Sequence, residues 1–277
     1  MAELPLIDPD NDLLPLLRLA PNALLDPLVS YITNNGKGRL TSELDLTELY
    51  SAHHPNHSAY VDEIAAEVQK FGGNTIVNVL RGGKGIPYIE VVRNVARQLK
   101  VNFNDSMDAG RIELQILLRI LEKAYEKMTE EERRQFLLDI GLEYGKVPDA
   151  LPVIAIQAAL GAAGFLAYQL AVIVANAVAR QLLGRGLSLA LNRTLARSLN
   201  VLVGPIGWAI TVLWTLVDIA GPAYRVIIPC VIQVALIRQQ SLIQTCSNGH
   251  QNSSQAKFCA ECGASLSSDG KRPESIT

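Results

Sequence analysis

ALPVIAIQAALGAAGFLAYQLAVIVANAVA, residues Ala150 to Ala179, runs for thirty positions without a formal charge. Two environments accept such a stretch. One is a bilayer interior, which about 18–20 consecutive apolar residues are long enough to cross. The other is the centre of a helical protein, where a helix that is apolar on all sides is covered by its neighbours. The choice between them decides the fold. A second uncharged run covers Ser198 to Val217, again of spanning length, and a third, Val226 to Ile237, is too short to span. Gly161-Ala162-Ala163-Gly164 supplies small residues that let helices approach closely.

The charge around these runs is uneven. Val147 to Thr245 holds six arginines and two aspartates, with no lysine or glutamate, a net of +4. The first 146 residues carry −6, and residues 246–277 sum to zero. The whole chain is 49% hydrophobic but only 19% charged, against about 25% in a typical soluble domain. Its net charge of −2 provides no global basic field, so nucleic acid is not predicted as a partner.

Downstream lies the most specific motif. Cys246-Ser-Asn-Gly-His250 is followed, eight residues on, by Cys259-Ala-Glu-Cys262-Gly263. Cys246, His250, Cys259 and Cys262 have the residue types and spacing of a structural zinc site, in which four soft or borderline donors close a tetrahedron. Gly249 and Gly263 relieve the backbone in the two knuckles. The C-terminal 32 residues have no apolar core of their own, so the Zn2+ ion is expected to supply their folding energy. With four protein donors no position stays open for catalysis. The module resembles the short zinc ribbons of many bacterial proteins, in which Cys-x-Asn-Gly-His and Ala-Lys-Phe-Cys-x-x-Cys-Gly recur, here Cys246 to His250 and Ala256 to Gly263. Many such ribbons carry a second cysteine where this chain has His250. The fourth cysteine, Cys230, stands in an apolar run and reads as a small core residue. This usage is no disulfide framework and fits a reducing compartment.

The zinc motif bears on the apolar runs. If both long runs spanned a membrane, the reduced C-terminus would be cytoplasmic. The N-terminus, MAELPLIDPDNDLL, lacks the basic region and apolar core of a secretory signal, so it is expected to stay cytoplasmic too. The link between the runs, with Arg180, Arg185, Arg193 and Arg197 and no acid among them, would then lie outside, against the positive-inside rule. Two readings remain. Either the region lies in the membrane interface or inserts partway, its arginines drawn to anionic lipid, or the runs are core helices of a soluble α-helical domain.

Upstream the chain reads as short helices. Leu24, Leu25, Leu28 and Ile32 form a stripe behind Pro21; Tyr60, Ile64, Val68 and Phe71 form another, ended by Gly72-Gly73. Pro87 opens a helix bearing Val92, Val95 and Leu99, and Arg111 to Met128 is strongly periodic. Thr129 with Glu132 is a capping box for a helix ending near Gly141. Glu130 to Arg134 reads as its solvated face. Arg81-Gly-Gly-Lys84-Gly precedes a helix, and Arg81 and Lys84 are weak anion-site candidates, but the pattern is no P-loop. His53, His54 and His57, in His-His-Pro-Asn-His, read as a solvated loop. No Ser-His-Asp or Cys-His arrangement can be nominated.

Two segments carry a family resemblance. One is Phe71-Gly-Gly-Asn-Thr-Ile-Val-Asn-Val-Leu-Arg-Gly82, followed by Tyr88 and a helix to Lys100. The other is Gly204-Pro-Ile-Gly207, then Ala223-Tyr-Arg-Val-Ile-Ile-Pro229 and Val231 to Arg238. Both resemble the uncharacterised bacterial YaaW-like family, whose middle region is grouped with the ubiquinol–cytochrome c chaperone domain, a helical fold that binds newly made membrane protein. The resemblance covers roughly residues 10 to 240, brings no catalytic residues, and leaves the zinc ribbon as an addition.

The resulting expectation is a mainly α protein. It comprises a small helical N-terminal domain (1–48), a helical chaperone-like domain (49–149), an apolar, arginine-bearing, hairpin-like helical region (150–240), a zinc ribbon (245–264) and a disordered tail (265–277). The expected role is a non-enzymatic, chaperone-like assembly adaptor with protein partners, a membrane protein or the membrane surface among them, at the cytoplasmic face of the cell membrane. The alternatives are a soluble helical binding protein, or a membrane-perturbing effector whose packed apolar helices are released on a trigger.

Overall fold

The computed structural model describes residues 12–35, 44–72, 85–139, 164–187, 205–209, 211 and 223–266. Within them the chain is helical apart from two short strands: α1 (Leu14–Leu19), α2 (Asn22–Thr33), α3 (Glu48–His53), α4 (Val61–Gly72), α5 (Tyr88–Gln98), α6 (Ala109–Tyr125), α7 (Glu130–Asp139), α8 (Gly164–Leu183), α9 (Tyr224–Ser241), β1 (Ile243–Thr245) and β2 (Gln251–Ser253). The expected mainly α fold with a small C-terminal Cys/His module is what the chain adopts.

Local chemistry explains the helix ends. Pro21 stands at the N-cap of α2, and Asn34 closes that helix in the left-handed conformation. The Asp108 side chain accepts from the Arg111 amide at the start of α6 (2.8 Å). The capping box forms as read: Thr129 N–H donates to Glu132 Oε2 (2.8 Å) and Glu132 N–H to Thr129 Oγ1 (3.3 Å). Gly72 does more than end α4. A Cβ there would sit 2.3 Å from Val91 Cγ2, so its absence is what lets α4 pack closely against α5.

The centre of the molecule is α9, the run too short to span a membrane. Every side chain from Val226 to Ile237 is buried, because α8, α2, α6, α4 and α5 all pack around it. Every side chain from Leu166 to Ala179 of α8 is buried too. One continuous apolar core links Leu13 and Leu17 of the N-terminal region to Ile112 and Ile116 of α6, Val172 of α8 and Val231 of α9. Among the described residues one stretch, Leu166–Leu183, is long and apolar enough to cross a membrane, and 78% of it is covered by protein. Of the second long run, residues 205–209 form a helical turn in which Ile206 and Ala209 are buried, while Trp208 is exposed beneath Lys127 Nζ, 4.7 Å from the ring centroid. Cys230 is buried in α9, as expected of a small apolar residue.

Among the described arginines of the apolar half, Arg238 and Arg185 are ion-paired with acids of other helices. Arg238 grips Glu113 of α6 with Nε–Oε2 at 2.8 Å and Nη2–Oε1 at 3.2 Å; the Tyr88 hydroxyl donates to the same carboxylate at 2.8 Å. Glu113 is fully covered. Burial pushes its carboxyl up, opposed by Arg238 and Tyr88, and that carboxylate raises Arg238 in turn. Arg185, just past α8, donates to Asp26 Oδ2 of α2 at 2.7 Å.

Candidate metal centre

The chain leaves α9 at Ser241 and turns through Leu242 directly into β1. β1 pairs antiparallel with β2 in the register Ile243–Ser253, Gln244–Asn252, Thr245–Gln251. The loop at the end of this hairpin is the first knuckle. Cys246 N–H donates to the His250 carbonyl and Gly249 N–H to the Cys246 carbonyl, each at 2.9 Å. The second knuckle repeats the device: Cys259 N–H donates to the Ala264 carbonyl (2.7 Å) and Gly263 N–H to the Cys259 carbonyl (2.9 Å), with a bridge between Phe258 and Ser265 behind it. Gly249 (φ +83°) and Gly263 (φ +70°) occupy the left-handed region, which is why glycine follows the cysteine pattern in both knuckles.

Asn252 joins the two knuckles, a residue the motif did not single out. It donates from Nδ2 to the His250 carbonyl and accepts at Oδ1 from the Ala260 amide, both at 3.0 Å, and it is buried. The knuckles therefore face each other, and the sequence-nominated Cys246, His250, Cys259 and Cys262 converge, with all four donor atoms within 4.8 Å of one another. Cys246 Sγ lies 3.8 Å from Cys262 Sγ, and Cys259 Sγ lies 3.6 Å from His250 Nδ1. A disulfide needs about 2.05 Å between sulfurs, and Cys246, Cys259 and Cys262 are all free thiols.

The surroundings favour thiolate at Cys259 and Cys262. Burial pushes the Cys259 thiol up, but the Cys262 and Glu261 amides directed at its sulfur prevail and hold it down at about 6. Cys262 is lowered chiefly by the Ala264 amide, then by Asn248, whose Nδ2 donates to its sulfur at 3.3 Å. Burial raises Cys246, although the His250 amide donates to its sulfur (3.3 Å). His250 is raised by Cys262 and Cys259 and then by Glu261. Its two ring nitrogens face different groups: Nδ1 faces the sulfurs, while Nε2 lies 3.5 Å from Glu261 Oε2. A carboxylate behind a metal-binding histidine orients the ring and raises its basicity. This Cys3His group is able to hold a metal ion, and all its positions are supplied by the protein.

The weaker nominations fare differently. Arg81 and Lys84 lie outside the described residues. Of the three clustered histidines, His53 and His54 are exposed as expected, but His57 is buried. Its amide donates to Asn22 Oδ1 (2.6 Å), its Nδ1 meets the Tyr60 hydroxyl, and its Nε2 lies 3.4 Å from Asp26 Oδ1. The solvated-loop reading fails at His57 because Asn22 and Asp26 of α2 fold back over it.

Comparison with known proteins places this architecture. Residues 56–232 match the family model of the ubiquinol-cytochrome C chaperone. A UPF0174 protein of Helicobacter pylori strain J99 is 42% identical over 234 residues, covering 83% of this chain and 91% of the relative. A second UPF0174 protein of that strain is 34% identical over 206 residues, covering 73% and 98%. The UPF0174 protein YaaW of Escherichia coli K12 is 33% identical over 215 residues, covering 75% and 85%. No solved structure matches the chain. The Cys3His group, at 246–262, lies beyond the residues matched by the family model.

Proposed function

The chain belongs to the UPF0174 family, within the ubiquinol-cytochrome C chaperone group, and we propose that it is a non-enzymatic, chaperone-like assembly factor with a structural zinc ion in its C-terminal ribbon. The observation that carries the first part is the chaperone match over 56–232, which takes in the helices that build the core, α4, α5, α6 and α8, and part of α9. A role in assembly implies a protein partner. The low charge and the spanning-length α8 favour a membrane protein as client and the cytoplasmic face of the cell membrane as the place of action. Reduced thiols in the ribbon agree with that compartment.

The test supplies the full chain to a cell-free translation of an apolar helical membrane protein without lipid. The client is expected to stay in the supernatant in proportion to added chain; unchanged aggregation would count against the chaperone reading.

Zinc is supported by distance. Tetrahedral bonds of about 2.3 Å to sulfur and about 2.0–2.1 Å to nitrogen demand edges of about 3.8 Å between sulfurs and about 3.6 Å from sulfur to nitrogen. Two of the six edges match, Cys246–Cys262 at 3.8 Å and Cys259–His250 at 3.6 Å, within a group whose donors all lie within 4.8 Å of one another. Purified protein is expected to carry one zinc per chain by elemental analysis, and to develop a thiolate-to-cobalt absorption band when Co2+ replaces it. Absence of both would sink the assignment. The second reading, an effector whose apolar helices are released on a trigger, draws support from α8 being long enough to span yet covered by protein.

A further inference from the structure

We propose that the metal-loaded ribbon is a clasp on the N-terminal turns of α8, so that metal occupancy sets how firmly the apolar spanning-length helix is held in the core. The inference rests on the zinc reading above and adds a consequence for a different part of the chain.

Four observations meet at this place. First, the ribbon is joined to the central helix without a linker: α9 ends at Ser241 and β1 begins at Ile243. Second, β1 and β2 both lie against α8, and β1 also against α9, with Ile243 packed on the apolar core. Third, Tyr168, in the second turn of α8, is almost wholly covered, and its hydroxyl lies against the Gln251 side chain of β2. Fourth, the hairpin is short: beyond its own pairing it is tied by Gln244 Nε2 donating to the Ser253 and Ala256 carbonyls, by Ser254 N–H donating to the Leu242 carbonyl, and by the knuckles. The pairing is three residues long, and its hydrogen bonds run into Cys246 and His250, the first two metal donors. A two-stranded hairpin is marginal by itself in water, so the ion that closes the knuckles also keeps β2 over Tyr168. Removing the ion loosens the hairpin and uncovers Tyr168 and the turns beside it, while α5, which packs on α6, α4 and α9, keeps its cover.

The test is hydrogen exchange on the full chain, zinc-loaded and then stripped with a strong chelator, with zinc content measured in both. A preparation that never holds zinc fails the zinc reading itself, independently of the clasp. Given a loaded preparation, stripping is expected to speed exchange in peptides from 166–174 about tenfold, with α5 (Tyr88–Gln98) unchanged. Gln251→Ala, which leaves all four donors in place, is expected to retain zinc and still speed exchange in 166–174 severalfold. Acceleration confined to 243–266 would overturn the clasp, as would an equal rise in α5, since the ribbon would then support the fold in general rather than α8.

Discussion

Asp26 shows how much a single side chain on α2 does for the apolar half. His57 lies 3.4 Å from one oxygen and Arg185 donates to the other at 2.7 Å. The hydrogen bond with His57, opposed by burial and helped by Arg185, brings its carboxyl from 3.8 to about 2. A carboxyl depressed by folding contributes stability that is complete above its unfolded value and is lost as pH falls through its folded value. Asp26→Asn is therefore expected to lower stability by about 1 kcal/mol at pH 7, a figure reduced from the full shift because the carboxylate is one-third exposed. The gap to the parent chain closes between pH 3.8 and about 2, as urea denaturation across that range will read. None of this was legible in the sequence. His53, His54 and His57 look alike in His-His-Pro-Asn-His, and only partners far along the chain, Asp26 and Arg185, distinguish the buried one. The convergence of Cys246, His250, Cys259 and Cys262 was legible because each knuckle is local. Asn252 was not, since an asparagine between two cysteines carries no signal until the backbone brings Ala260 to it.

At the scale of elements, the helices that reading found best are those whose cause is local. The stripe from Leu24 to Ile32 became α2, the run from Arg111 became α6, and Thr129 with Glu132 capped α7 where the motif placed them. Which faces meet is a different matter. Glu113 sits within a helix whose apolar period is read from its neighbours, and nothing local marks it. Its guanidinium partner is 125 residues away on α9. The pair pins α6 to α9 at a covered site, and breaking a buried ion pair costs far more than the pair contributes, because one charge is left uncompensated. Arg238→Met is expected to destabilise the chain by about 3–5 kcal/mol. Adding Glu113→Gln to it should recover most of the loss, since the amide keeps a partner for the Tyr88 hydroxyl without a net charge. Urea denaturation of the parent, both single variants and the double variant closes the cycle; additive losses would mean that the pair does not act as a unit.

At the scale of the whole molecule, composition left the apolar half undecided between lipid and protein, because both are equally good solvents for leucine, isoleucine and valine. What separates them is the polar groups. Moving α8 from the core to a bilayer gains nothing for its aliphatic side chains, since lipid tails are as apolar as a core. It would strip Asn176 of the Leu187 amide that its Oδ1 accepts at 3.0 Å, leave buried Gln169 facing hydrocarbon, and part Arg185 from Asp26. The helix bundle thus favours keeping α8 in the core as long as its neighbours are folded, and a membrane contact that leaves α8 in place has to be made by other parts of the chain. Charge for that contact is present: between Val147 and Thr245 arginine is the only cation, with a net of +4, although Arg185 and Arg238 are held by Asp26 and Glu113. Attraction of this kind to anionic lipid is screened within about 8 Å at physiological salt and within about 3 Å at 1 M. The zinc-loaded chain is accordingly expected to sediment with phosphatidylserine-containing vesicles at low salt, to remain in the supernatant with neutral vesicles, and to be released by 1 M NaCl. Retention through both high salt and a carbonate wash would show instead that α8 had left the core for the bilayer, and the packing of α8 against α9 would then describe only the form of the protein that is away from the membrane.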